Sequence, residues 1–171
     1  PDKPFLYITD RNRPMAYAHL EQQVNQMILR WQRAGIKRGD HVAMLMITFP
    51  LTIVQFLTAM RYGVTFVPLN LRLTVDEIDF QLKQSDCKWI LPYGTPDLLK
   101  QLIERGYTLA GVDTPVKSKQ REIFTRDFDL NAPLAIIHTS GTSGQPKGAV
   151  LTYNNIYQSA MASAYRIGVM P

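Results

Sequence analysis

Residues 134–152 read LAIIHTSGTSGQPKGAVLT. Two apolar runs, Leu134-Ala135-Ile136-Ile137 and Ala149-Val150-Leu151-Thr152, flank a loop from Thr139 to Gly148. Each run is short, apolar and bounded by turn residues, which predicts a buried strand on either side of the loop. The loop carries four hydroxyls (Thr139, Ser140, Thr142, Ser143), three glycines (Gly141, Gly144, Gly148) and one cation, Lys147. That composition suits a polyphosphate. Glycines let successive backbone N–H groups converge on one anion. Hydroxyls donate further hydrogen bonds without adding charge, and the lysine is a mobile point charge. The stretch is not the GxxxxGK[ST] phosphate loop. Gln145-Pro146 separates Gly144 from Lys147, no hydroxyl follows the lysine, and the next element reads as a strand. A phosphate grip would therefore rest on loop N–H groups, hydroxyls and Lys147, not on a helix N-terminus. The competing reading is a Gly/Ser/Thr surface loop with no ligand, since such clusters are common punctuation.

Working outward from the loop, strands and helices alternate upstream of it. Phe5 to Ile8 reads as a short strand with Asp10-Arg11-Asn12-Arg13 as its turn. Ala18 to Ala34 reads as an amphipathic helix stopped by Gly35. Then come a strand His41–Ile47, a helix Pro50–Tyr62, and a strand Thr65–Pro68. Thr74 and Glu77 are spaced as a capping box, with Leu73 and Ile78 placed as a hydrophobic staple, for a helix running to Ser85. Lys88–Leu91 is the next strand. Thr95 caps a helix that begins at Pro96 and ends near Gly106, with Leu98, Leu99, Leu102 and Ile103 as its apolar side. Leu109–Val112 reads as a strand. This alternation predicts an α/β fold, a doubly wound and mostly parallel sheet with flanking helices, followed by the strand–loop–strand unit. Residues 1–112 form the α/β part, 113–130 a polar linker without period, and 131–171 the loop segment. Thr152 caps a last helix, 154–167, with Ile156, Ala160, Ala164 and Ile167 on one face and Gly168 at its end.

Composition narrows the function. The chain has 171 residues, 46% of them hydrophobic, enough to bury one sizeable core. Its net charge of +5 comes without a basic stripe interleaved with aromatics, which argues against nucleic-acid binding. Cys87 is the single cysteine, so no disulfide framework exists, as expected in a reducing cytoplasm. His19, His41 and His138 lack ligand spacing, and no protein-built metal site is expected. Residues 41–60 contain no Asp, Glu, Lys or Arg, yet Pro50 at their middle fits a buried strand and helix better than a membrane span.

The order of residues in the loop says more than its composition. His138-Thr-Ser-Gly-Thr-Ser-Gly-Gln-Pro-Lys-Gly148 resembles the signature of the adenylate-forming superfamily, a Tyr or similar residue followed by TSG[ST]TGxPKG. His138 stands at the first place and Ser143 where Thr is commoner. The resemblance covers essentially the whole chain. PLNLRLTVDEIDFQL (68–82) and GAVLTYNNIYQSAMASAYRIG (148–168) are most similar to o-succinylbenzoate–CoA ligases of menaquinone synthesis. The resemblance implies the N-terminal part of the adenylate-forming fold, with ATP, Mg²⁺ and coenzyme A as cofactors and a small carboxylic acid as substrate. It implies that Thr139, Ser140, Gly141, Thr142, Ser143, Gly144 and Lys147 hold the β- and γ-phosphates. The family's catalytic lysine, magnesium-binding acid and C-terminal lid have no counterpart in these 171 residues. No catalytic residue is therefore assigned, and the piece alone is expected to have no ligase activity. Aryl- or fatty-acyl-CoA ligases, carrier-protein adenylation domains and a non-catalytic nucleotide-binding module are the alternatives. The sequence leaves the oligomeric state, including a homo-oligomer, open.

Overall fold

Hydrophobic spacing and helix ends set the layout. The structure, a computed structural model, describes residues 3–7, 14–46, 50–110, 129–140 and 145–169. Strand β1 (Pro4–Leu6) pairs antiparallel with β2 (Met15–Ala16), and helix α1 (Tyr17–Ala34) follows at once. Strand β2 escapes a sequence reading because two residues carry no period. The turn expected at Asp10–Arg13 lies outside the described residues. Leu20, Val24, Met27, Ile28 and Trp31 recur at helical spacing on α1 and are all buried.

The main sheet then builds by alternation. Strand β3 (His41–Met46) leads to α2 (Pro50–Tyr62), β4 (Thr65–Asn70), α3 (Val75–Gln84), β5 (Trp89–Leu91), α4 (Pro96–Glu104) and β6 (Thr108–Leu109). Strands β7 (Pro133–Thr139) and β8 (Lys147–Thr152) and helix α5 (Tyr153–Ile167) complete the chain. The six strands stand in the order β6-β5-β3-β4-β7-β8. β3 is parallel to β4 and β5, β5 to β6, and β4 to β7, while β8 turns back antiparallel to β7. The expected α/β class and mostly parallel sheet are thus present. The two strands around the loop do not form a unit of their own after the sheet; they extend it at one edge, because β7 pairs with β4. The stretch expected as a linker, 113–130, lies outside the described residues except for its last two.

Alternation along the strands sorts the core into two faces. Val42 and Met44 of β3 join Val24, Ile28 and Trp31 of α1 and Val54 of α2 on one face. Ala43 and Leu45 join Ile78 and Leu82 of α3 and Leu102 of α4 on the other. Helices therefore cover both faces, as in a doubly wound sheet. The 41–60 stretch is a buried strand followed by a helix, and among the described residues no helix is long and apolar enough to cross a membrane. Cys87 is buried beside β3, its thiol donating weakly to the carbonyls of His41 at 3.3 Å and Trp89 at 3.4 Å. Burial pushes that thiol up to about 12.

Local chemistry fixes the joints. The Thr74 hydroxyl accepts from the Glu77 N–H while the Glu77 carboxylate accepts from the Thr74 N–H, the expected capping box. Thr95 caps α4 through the Leu98 N–H, and Thr152 forms a second capping box with Asn155. The Arg61 guanidinium on α2 grips Glu21 on α1 with both nitrogens, at 2.6 and 2.8 Å, and donates to Asn25. Two apolar assignments fail. Ile103 on α4 is 49% exposed, because the helix leans on the sheet through Leu102, with Leu98 and Leu99 beside it. On α5, Ile156 and Ala164 are only half-buried and Ile167 is 71% exposed, since the described helices and strands do not cover that face.

Candidate functional site

The loop signature is mounted on a hairpin at the sheet edge. β7 and β8 keep register up to the loop, with His138 opposite Gly148 and Thr139 opposite Lys147. The Thr139 hydroxyl donates to the Lys147 carbonyl at 3.4 Å. Of the expected site residues, Thr139 and Lys147 thus stand side by side, and Ser140 follows Thr139 directly; all three are exposed. Gly141, Thr142, Ser143 and Gly144 lie outside the described residues. Because β7 is parallel to β4, the loop leaves the sheet at the carboxyl end of a parallel strand, where open α/β sheets bind ligands. An exposed lysine beside the Thr139 hydroxyl, with no ion-pair partner among the described residues, can meet an anion there without a helix terminus.

The base of the hairpin rests on the end of α3, which a reading of the sequence does not reveal. The Gln84 amide donates to the Pro146 carbonyl at 3.2 Å. The Ser85 hydroxyl bonds the Nε2 of His138, also at 3.2 Å, and Ser85 is itself only 3% exposed. The His41 ring at the start of β3 bonds the Ser85 carbonyl through Nδ1 at 2.5 Å. Gly148 makes room for these contacts: a Cβ there would lie 2.9 Å from the Cγ2 of Ile136 and 3.5 Å from the Nε2 of His138. Burial holds the His138 imidazole below its ordinary pKa, so the ring is biased to the neutral form, and its Nδ1 is buried with no partner among the described residues. Gln84 and Ser85 look like ordinary polar residues at a helix end. Only their distance to the hairpin, 53 or more residues along the chain, gives them a role.

A second concave feature lies elsewhere. A cleft of about 600 Å³ opens between the loops after β4 and β5, lined among others by Leu71, Leu73, Tyr93, Thr95, Asp97 and Gln101. None of the described loop residues lines it. Arg72, nearby, is exposed, and its backbone N–H bonds the Asn70 side chain.

The hairpin, its register and the parallel sheet behind it can be set beside known proteins. The sequence pattern of the family described as AMP-binding enzyme matches residues 1–170. The chain belongs to this family. Among AMP-binding relatives, the 2-succinylbenzoate–CoA ligase of Bacillus pumilus (strain SAFR-032) is 30% identical over 182 residues, covering 99% of this chain and 34% of the relative. That of Listeria monocytogenes serotype 4b (strain F2365) is 30% identical over 156 residues, covering 90% and 32%. The chain thus spans about a third of the length of these relatives. Among solved AMP-binding structures, the o-succinylbenzoate CoA synthetase (MenE) of Bacillus subtilis with its acyl-adenylate intermediate OSB-AMP superposes with a TM-score of 0.78 at 27% identity, covering 94% of this chain and 42% of that one. ATP-bound MatB of Rhodopseudomonas palustris gives a TM-score of 0.80 at 22% identity, covering 96% and 34%, and supports the fold alone.

Proposed function

We propose that this chain carries the phosphate-binding part of an AMP-forming acid–CoA ligase, with o-succinylbenzoate as its acid and a place in menaquinone synthesis. The observation that carries the reading is the TSGTSGQPKG loop, joining two paired strands of an AMP-binding sheet with Lys147 beside Thr139. In the proposed first step, an oxygen of the substrate carboxylate attacks the α-phosphorus of ATP. The bond from that phosphorus to the bridging oxygen breaks, and pyrophosphate leaves. In the second, the thiol sulfur of coenzyme A attacks the acyl carbon of the adenylate and AMP leaves. Negative charge grows on phosphate oxygens in the first step, so fixed donors and a cation aimed there favour the transition state. Thr139, Ser140, Gly141, Thr142, Ser143 and Gly144 would supply donors and Lys147 the charge. Mg²⁺ would arrive with the ATP and would offset the charge of its phosphates. Among the described residues no group of three or more His, Cys, Asp or Glu side chains could hold it independently. The substrate assignment draws support from the 2-succinylbenzoate–CoA ligase relatives.

The test is acid-dependent ATP–pyrophosphate exchange by the full-length enzyme that would carry this chain, with o-succinylbenzoate, benzoate, a medium-chain fatty acid and free amino acids. Exchange with o-succinylbenzoate alone is expected. Exchange with another acid only would keep the adenylation chemistry and discard the substrate. Lys147→Ala is expected to weaken ATP use by about 1–3 kcal/mol, the usual size of a charge-assisted contact. Unchanged ATP kinetics in that variant would make the loop structural.

A further inference from the structure

The hairpin that carries the loop signature has one arm tied at each side to a single point on the fold. Gln84 and Ser85 are consecutive residues at the end of α3. One donates to Pro146, the residue before Lys147; the other bonds His138, the residue before Thr139. The two contacts therefore reach both ends of the loop, one residue to the loop side of the cation and one residue to the strand side of the first hydroxyl.

Their anchor is firm on the other side. Ser85 is buried, and its carbonyl is bonded by the His41 ring on central strand β3. The chain after it is locked in a turn, with the Asp86 N–H donating to Lys83 and the Cys87 N–H to Leu82. Gly148 is the third element, since any Cβ there would press on Ile136 and come against His138. Two hydrogen bonds from one helix end, an exposed one from Gln84 and a part-buried one from the braced Ser85, reach the loop ends of both strands and constrain that edge. β7 is also held by β4, whereas β8 is the edge strand and pairs with β7, so these bonds add a second hold at the loop end of the edge.

We propose that Gln84 and Ser85 are positioning residues that set the spacing and direction of Thr139 and Lys147 at the mouth of the loop. They act through Pro146 and His138 and touch no phosphate themselves. The inference rests on the phosphate reading of the loop for its effect on catalysis, but not for its geometry.

The test uses the full-length enzyme that would carry this chain, with four variants: Ser85→Ala, Ser85→Thr, Gln84→Glu and, as a control, Lys147→Ala. Gln84→Glu keeps the shape of the side chain but removes the N–H that donates to Pro146. Two quantities are read in the exchange assay, KM for ATP and KM for the acid, together with amide hydrogen exchange across 136–139 and 145–149. Ser85→Ala and Gln84→Glu are expected to raise the ATP KM about 5- to 20-fold, the scale of one or two lost hydrogen bonds. The acid KM should stay within twofold, amide exchange in the two arms should quicken, and Ser85→Thr should restore both. A purely structural role would lower the melting temperature without splitting the two KM values. No change, or an equal change in both constants, overturns the proposal. If Lys147→Ala alone leaves the ATP KM untouched, the phosphate reading fails. Exchange in the arms then decides the clamp: quickened and restored by Ser85→Thr, it stands as geometry; unchanged, it falls.

Discussion

His138 shows how much one side chain can be read at two depths. In the sequence it is only the polar residue before the signature. In the structure it is a half-buried imidazole with one nitrogen on Ser85 and the other buried with no partner among the described residues. Protonation would bury a charge and leave a second N–H unsatisfied, so folding favours the neutral ring. The sign follows directly. A histidine with a lowered folded pKa binds its proton more readily when unfolded. Its contribution is fully present above the ordinary value near 6.5 and is lost as the pH falls through that value toward the lowered one. Denaturant midpoints are therefore expected to drop as pH falls below about 6.5, and His138→Gln should flatten that slope. An identical slope in the variant would place the effect on another group. Gly148 was legible in the sequence as part of the signature, but for a different reason. Composition suggested freedom for an anion; the structure adds that a side chain has no space beside Ile136.

At the scale of the element, helix starts were legible and one helix end was not. Thr74, Thr95 and Thr152 are cap residues with oxygens that compete for orphan N–H groups, and each does so. Four helices are followed by a glycine with positive φ: Gly35, Gly63, Gly106 and Gly168. The fifth, α3, is followed by Asp86 with a φ of 45°, the one non-glycine residue in that region among those described. Its turn has the same pattern as the glycine ends, with Cys87 N–H reaching back to Leu82 and Asp86 N–H to Lys83. No glycine marks the spot, so the sequence placed the helix end only near Ser85. The left-handed conformation costs an L-residue about 1 kcal/mol or more, while a glycine gives back some of that through the freedom of the unfolded chain. Asp86→Gly is expected to leave stability unchanged or raise it by up to about 1 kcal/mol, read from urea denaturation. A loss of more than about 1 kcal/mol would mean that the Asp86 side chain holds the turn.

For the molecule as a whole, the alternation of strands and helices was legible and the strand order was not. Each unit follows from local period and caps. Which strand becomes central depends on pairings between distant residues, and no local pattern records that β3, the first strand of the main sheet, lies between β4 and β5. The edge position of the loop hairpin was hidden for the same reason, and β2 because two residues carry no period. The central position of β3 has a practical consequence through its neighbour Cys87. The sole thiol of the chain sits where α3, β3 and β5 meet, sealed from solvent, with its ionisation pushed up to about 12. At pH 8 the buried sulfur would therefore stay a thiol, which is the unreactive form. The thiolate that would attack an aromatic disulfide reagent, forming a mixed disulfide and releasing a coloured aryl thiolate, should thus stay out of reach until the sheet parts. The rate of the colour change is expected to track denaturant unfolding seen by circular dichroism, which makes this sulfur a built-in clock for opening of the fold. Rapid labelling of the native chain would instead reveal a local breach between α3 and the sheet, at the very place where the loop hairpin is held.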